Sequence, residues 1–352
     1  MSKLLSPFTV RGLTTRNRVW VSPMCQYSSV DGLPNDWHLM HLGQFAAGGA
    51  GLVMTEASAV APEGRISPQD AGIWNDDQVA AWRRIIGFVH AQGAAVAMQL
   101  AHAGRKASTH RPWESSGSVP VADGGWQAVG PTSAAFGSYV APRALSDAEV
   151  AELPGVFAAA ARRAVTAGFD AVELHFAHGY LVHQFYSPLS NTRPGPYGGD
   201  FAGRTRLAVQ IVDAVRSEVG DLPVLARLSA TDWTPGGWDV DDTVRLSAEL
   251  AAHGVDLIDV SSGGNNPGAK IALSRGYQVP FAARVRTEAS VPTGAVGLIT
   301  SPAQAESIVA DGSADVVFLA RELLRDPHFA LRAGAELGVE VEWVPQYLRA
   351  RW

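Results

Sequence analysis

One short pattern recurs along this chain: a helix-like stretch closes at glycine, a small or acidic residue follows, and an apolar run comes next. It stands at Gly49-Ala-Gly-Leu-Val-Met, Gly93-Ala-Ala-Val-Ala-Met, Gly168-Phe-Asp-Ala-Val-Glu, Gly254-Val-Asp-Leu-Ile-Asp and Gly312-Ser-Ala-Asp-Val-Val. Glycine takes the left-handed conformation that ends a helix, and the apolar run after it suits a strand buried on both faces. Each copy is therefore a helix-to-strand junction. Arg18-Val-Trp-Val-Ser-Pro-Met, Pro223-Val-Leu-Ala-Arg-Leu-Ser and Thr293-Gly-Ala-Val-Gly-Leu bring the strands to eight, alternating with helical segments such as 77–92, 146–166 and 241–253. Eight such units predict an α/β fold closed as a (β/α)8 TIM barrel. An open doubly wound sheet would carry a glycine-rich dinucleotide fingerprint after its first strand, and none stands there.

Ahead of the first barrel strand, Phe8-Thr-Val-Arg-Gly-Leu-Thr-Thr-Arg-Asn-Arg alternates around Gly12 and predicts a short β-hairpin capping the bottom of the barrel. The Gly-, Ser- and Pro-rich stretch 107–143, after the third strand, is too long for an ordinary connection. It is either a lid over the site or a mobile insertion, and the lid is favoured. No linker divides the chain, so residues 1–352 are expected to form a single domain. A net charge of −6 with scattered Lys and Arg argues against nucleic acid or an anionic membrane as partner and favours a small molecule. No run is long and apolar enough to span a membrane and no signal peptide is visible, so a cytoplasmic location is expected. Cys25 is the only cysteine, which excludes an intrachain disulfide and a four-thiolate zinc or iron–sulfur site.

In such a barrel the active site is assembled at the C-terminal strand tips. The densest tip is Glu173-Leu-His175-Phe-Ala-His178-Gly-Tyr180, where two imidazoles and a phenol follow a buried strand and could bind and protonate an oxygenated substrate. Taken singly, each histidine could equally be a hydrogen-bonded structural residue. Other tips supply Ser22-Pro-Met-Cys25-Gln-Tyr27, Glu56-Ala57-Ser58, Gln99-Leu-Ala-His-Ala-Gly-Arg-Lys106, Arg227 and Ser261-Ser-Gly-Gly264. At the last two tips Gly297 allows close backbone approach and Arg321 offers a fork suited to phosphate, so a phosphorylated ligand is expected; a packing glycine and a surface arginine are the plain alternatives. A metal held by His175 and His178 with Glu173 or His183 is disfavoured, because His183 falls beyond a glycine turn and no carboxylate is spaced to complete the set. Cys25 lacks the base-and-carboxylate pairing of a nucleophile and could be a buried structural thiol.

The motifs Ser22-Pro-Met-Cys25-Gln-Tyr27, Gln99 to Lys106, His175-Phe-Ala-His178-Gly-Tyr180 and Gly294-Ala-Val-Gly297, in this order, resemble the thermophilic-like class of old yellow enzymes from about Asn17 onward. The resemblance implies an FMN-dependent ene-reductase that takes hydride from NADPH, or less often NADH, and delivers it to activated alkenes such as enones, maleimides and nitroalkenes. It implies flavin contacts from Pro23, Met24, Cys25, Ala57, Gln99 and Arg227, and phosphate contacts near Gly264, Gly297 and Arg321. Cys25 and Tyr27 would touch substrate, His175 and His178 would polarise its carbonyl or nitro group, and Tyr180 would protonate the α-carbon. It further implies a homodimer or homotetramer in which Arg349, on the tail 340–352, reaches a neighbouring subunit's site. Arg351 or Trp352 could take that place. Relatives with an iron–sulfur cluster are excluded by the single cysteine, whereas a metal-dependent hydrolase and a flavin-binding protein without turnover stand as alternatives.

Overall fold

A computed structural model describes residues 2–352. Two antiparallel strands, β1 (Phe8–Val10) and β2 (Leu13–Thr15), come first. The barrel strands follow as β3 (Val19–Val21), β4 (Leu52–Ala59) and β5 (Ala95–Ala101). A small parallel pair, β6 (Val129–Gly130) and β7 (Arg143–Ala144), interrupts them. The barrel resumes with β8 (Ala171–Phe176), β9 (Val224–Ser229), β10 (Leu257–Ser261), β11 (Thr293–Ala295) and β12 (Val316–Leu319). These eight strands pair in parallel and close, β12 returning to β3, so the predicted (β/α)8 barrel is what the chain forms. The glycines that close the five repeated junctions all lie at positive φ, between 75° and 105°, as a left-handed helix terminus demands.

Around the barrel run α1 (Asp36–Ala47), α2 (Asp76–Ala91), α3 (Asp147–Ala167), the short α4 (Leu181–Tyr186), α5 (Phe201–Val219), α6 (Val240–Ala252), α7 (Val279–Glu288), α8 (Pro302–Ala310), the short α9 (Arg321–Arg325) and α10 (Phe329–Leu337). The helices at 76–91, 147–167 and 240–252 sit within a residue of the segments read from the sequence. Their starts are chemically marked: Asn75 and Ser146 close capping boxes with Gln78 and Glu149, and Asp239 accepts from two backbone amides of α6. Val89, Ile86 and Trp82 of α2 and Ala160, Ala161 and Phe157 of α3 bury their faces against the outside of the strands.

Inside the barrel a second core is built from alternate strand residues, among them Trp20, Met54, Ala97, Ala171, Leu225 and Phe318. Phe8, Val10 and Leu13 of the hairpin close it from below, with the Phe8 ring 6.0 Å from Trp20 and Trp20 edge-on to Phe318 at 5.5 Å. The expected cap is therefore present, and it plugs the end opposite the chemistry. The stretch 107–143 is folded rather than loose: Thr109 bridges Ser118, and β6 pairs with β7. Ala107, Ala128 and Trp126 from it join Ala57, Cys25, Tyr27 and Tyr180 in a small apolar cluster over the strand tips, where a lid would lie.

Candidate active site

Strand alternation decides what the upper barrel contains. Ala97, Ala171, Leu225 and Leu257 face inward on β5, β8, β9 and β10. Two residues further up, the same face must carry Gln99, Glu173, Arg227 and Asp259, and two beyond that Ala101, His175, Ser229 and Ser261. The chain thus lays a polar layer on an apolar plug and sets the candidate chemistry on top of it. Within the layer Gln99 Nε2 donates to Glu173 Oε1 at 2.7 Å. Arg227 lies 3.0 Å from Asp259 through Nε and donates to Ser22 Oγ at 3.1 Å through Nη2. Burial raises Glu173 to about 8, with the Asp259 charge adding to it, and burial raises Asp259 to about 6 against the pull of Arg227.

His175, His178 and Tyr180 do come together. The His175 ring stands 5.1 Å from those of both His178 and Tyr180, each edge-on. Burial, then the Arg227 charge, holds both imidazoles well below the usual histidine range, so the rings are neutral. His175 Nδ1 accepts the Ala177 amide at 3.4 Å, which leaves its Nε2–H as a donor. His178 Nε2 meets Ser261 Oγ at 2.7 Å, and its backbone amide donates to Ser229 Oγ at 2.9 Å while the residue takes φ 59°. Ser261 was visible only as a strand-tip serine and Ser229 only as the end of a strand run; nothing in the sequence pairs them with a histidine 83 or 51 positions away. Burial pushes the Tyr180 phenol up, so it carries its proton.

Lys106 ties this corner together. Its Nζ donates to the carbonyls of His178 at 2.9 Å and Gly264 at 3.0 Å, and it sits 4.5 Å over the Phe136 ring and 4.9 Å over Tyr180. Burial, then Arg105, lowers it to about 8. Gly264 packs against the same turn: a Cβ there would fall 2.5 Å from His178 Cα. The structure thus uses Gly264 to bring two loops together backbone to backbone.

Beside the histidines opens a cavity of about 290 Å³, lined by Ser22, Pro23, His178, Arg227, Gly297 and Arg321, among others. Arg321 and Arg325 make its outer end basic, and among the described residues Arg321 has no carboxylate partner. Gly297 lies at φ 114°, a conformation that strains any residue with a Cβ, and a Cβ there would crowd Gln278 Nε2 at 2.8 Å and Tyr277 Cε1 at 3.0 Å. Tyr277 and Gln278 also line this space from the segment before α7, a contribution that no sequence pattern marked. A cavity with a buried cation at one end, neutral donors along its side and the unpaired Arg321 guanidinium at its mouth, beside an Arg325 paired with Glu322 at 2.7 Å, fits a flavin mononucleotide: polar ring edge inward, phosphate outward.

Cys25, Tyr27 and Ala57 gather on the lid side. The Cys25 thiol is raised by burial and then by Asp70 and Glu56, which keeps it protonated and unsuited to attack. His183, considered as a third metal ligand, instead donates from Nε2 to Asp232 Oδ1 at 2.9 Å and takes the Gly179 amide on Nδ1 at 2.9 Å, so both its nitrogens are spent. Arg349 lies elsewhere, exposed in a 3-10 turn at Pro345–Ala350, and the chain does not bring it to its own histidines.

Residues 3–340 match the NADH:flavin oxidoreductase / NADH oxidase family. The chain is 46% identical over 349 residues to the NADPH dehydrogenase of Geobacillus thermodenitrificans, covering 98% of each. Among solved structures it superposes on morphinone reductase with a TM-score of 0.80 at 27% identity, covering 98% of this chain and 92% of that one. An old yellow enzyme homologue from Zymomonas mobilis shares the fold, with a TM-score of 0.79 at 24% identity over 99% of both chains. Among the described residues no helix is long and apolar enough to cross a membrane. With its motifs, its closed barrel and a cavity shaped for FMN in agreement, the chain belongs to the NADH:flavin oxidoreductase family of old yellow enzymes, which work with FMN and take hydride from NAD(P)H.

Proposed function

We propose that this protein is an ene-reductase, reducing the double bond of an alkene conjugated to a carbonyl or nitro group. The observation that carries the reading is the convergence of two neutral imidazoles and a protonated phenol beside a cavity backed by Arg227. FMN bound in this cavity would supply the redox chemistry, a hydride exchange between NADPH or NADH and the alkene β-carbon.

Pro23, Met24, Cys25, Ala57 and Gln99 would border the flavin ring, with Arg227 at its N1–C2=O edge offsetting negative charge there. Gly297 and Arg321 would hold the phosphate, whereas Gly264, packed on the His178 turn with its carbonyl accepting from Lys106, is not among the residues lining that cavity. His175 and His178 would donate to the substrate oxygen, drawing electron density from the double bond and favouring the enolate-like charge that develops on reduction. Tyr180 would deliver a proton to the α-carbon; a phenol held neutral by burial does this once the acceptor becomes basic enough. Cys25 and Tyr27 would shape the substrate pocket beneath the lid. Arg349 of a neighbouring copy would complete the site in a homodimer or homotetramer.

A single spectrum tests the core of this. The purified protein should be yellow, bleach anaerobically with NADPH, and regain colour on cyclohexenone. A colourless protein that takes up no added FMN would overturn the reading, and one that bleaches but is reoxidised only by oxygen would remove the ene-reductase assignment.

A further inference from the structure

The buried layer beneath the histidines holds a group that the reading above leaves without a task. Glu173 is fully buried, lies next to Gln99 across the β5–β8 register, and accepts its carboxamide N–H at 2.7 Å, while its second oxygen, Oε2, has no partner. A buried carboxylate with an empty oxygen is costly if it is only structural. We infer that Glu173 is a positioning residue that acts through Gln99: it fixes which end of that carboxamide faces the flavin, and its own proton sets the charge beneath the ring. The inference rests on the flavin reading of this cavity.

The orientation follows from donor and acceptor chemistry. Glu173 Oε1 can only accept, so the Gln99 NH2 must turn toward it, and the Gln99 carbonyl is left for the cofactor side. That presents an acceptor, matched to an imide N–H and mismatched to a carbonyl. The charge follows from the neighbours. Facing Glu173 from β5, β9 and β10 are Gln99, Arg227 and Asp259, with His175 two residues above on its own strand. Arg227 and Asp259 are paired, so with Glu173 protonated on Oε2 the layer is neutral, and when that proton leaves the layer becomes anionic. An anionic layer opposes the negative charge that the flavin gains on reduction. Glu173 should therefore take up a proton as the flavin is reduced, over a pH range beginning near its raised value of about 8.

The test uses the holoenzyme in three forms, wild type, Glu173→Gln and Glu173→Leu, with two readouts: FMN dissociation, followed by the fluorescence of released FMN, and the flavin reduction potential between about pH 6 and 9. Glu173→Gln keeps an acceptor for Gln99 and should hold FMN within about twofold of wild type, whereas Glu173→Leu should bind it at least about tenfold more weakly. Wild type should lose potential more steeply than Glu173→Gln as pH rises through about 8. Lys106 also titrates near 8, but it is present in both proteins, so the difference isolates Glu173. Equal FMN dissociation in all three forms, or parallel pH slopes for wild type and Glu173→Gln, would overturn the inference. Should Glu173→Leu fail to fold, the slope comparison decides alone. A wild-type protein that holds no FMN would overturn the flavin reading, and this inference with it.

Discussion

Ser261 shows how much a single hydroxyl settles at this site. His178 is neutral, so one of its nitrogens carries a proton and the other does not, and the 2.7 Å contact with Ser261 Oγ ties that choice to the direction in which this hydroxyl points. If Ser261 donates to Nε2, the proton lies on Nδ1 and that edge is the donor offered to substrate. Ser261→Ala should leave the ring free to choose, slowing the enone half-reaction about tenfold while the NADPH half-reaction changes less. Stopped-flow traces of the two half-reactions would check this, and an equal slowing of both would assign Ser261 to the flavin instead. His175, His178 and Tyr180 were readable from the sequence because strand alternation and one tight turn put them on one face. Ser261 was not, because its partnership depends on how β8 and β10 sit across a barrel that only the whole chain defines. The same applies to Gln278, whose place on the cavity wall comes from a segment with no periodicity.

The elements followed a similar division. Five of the eight strands were legible because each is an apolar run opened by a glycine-closed helix, a signal carried within a dozen residues, and the other three were legible as apolar runs alone. The β6–β7 pair was invisible, since two-residue strands 14 positions apart leave no alternation to read. Of the short α4 the sequence showed only a glycine turn ahead of His183, and its role in burying His183 against Asp232 depends on distant chain. The hairpin was legible from alternation around Gly12, but its energetic weight comes from the ring stack it completes. Trp20 is fully buried, touches Phe8 and Phe318, and donates to Thr15 Oγ1 at 3.3 Å. Trp20→Ala would open a large void between plug and barrel and should cost about 3–5 kcal/mol. Denaturant unfolding would measure the loss, and a cost below about 1 kcal/mol would mean that the plug collapses into the space.

At the scale of the whole molecule the open question is what completes the site on the side away from the flavin cavity. Residues 340–342 line a cavity with Leu5, Arg16, Asn17 and Gly49, all of which precede barrel strands, so the tail departs from the N-terminal end of the barrel. Beyond them Trp343 and Trp352 meet edge-on at 5.4 Å, Tyr347 packs on His328, and Arg351 lies 3.7 Å from Glu340. Leu348, Tyr347 and Trp352 remain exposed, and Arg349 has no carboxylate partner among the described residues. An unpaired arginine on an apolar, outward-facing turn is better suited to a neighbouring copy than to its own site. If it reaches a neighbour's histidines, Arg349→Ala should raise KM for cyclohexenone about tenfold with a smaller change in kcat, because a charge-assisted contact to substrate is lost while the flavin is untouched. Truncation after Tyr347 should do the same. Arg351→Ala is the control: it breaks only the contact with Glu340, and if it rather than Arg349→Ala raises KM, the finger belongs to Arg351. Unchanged kinetics in all three would leave each barrel complete on its own.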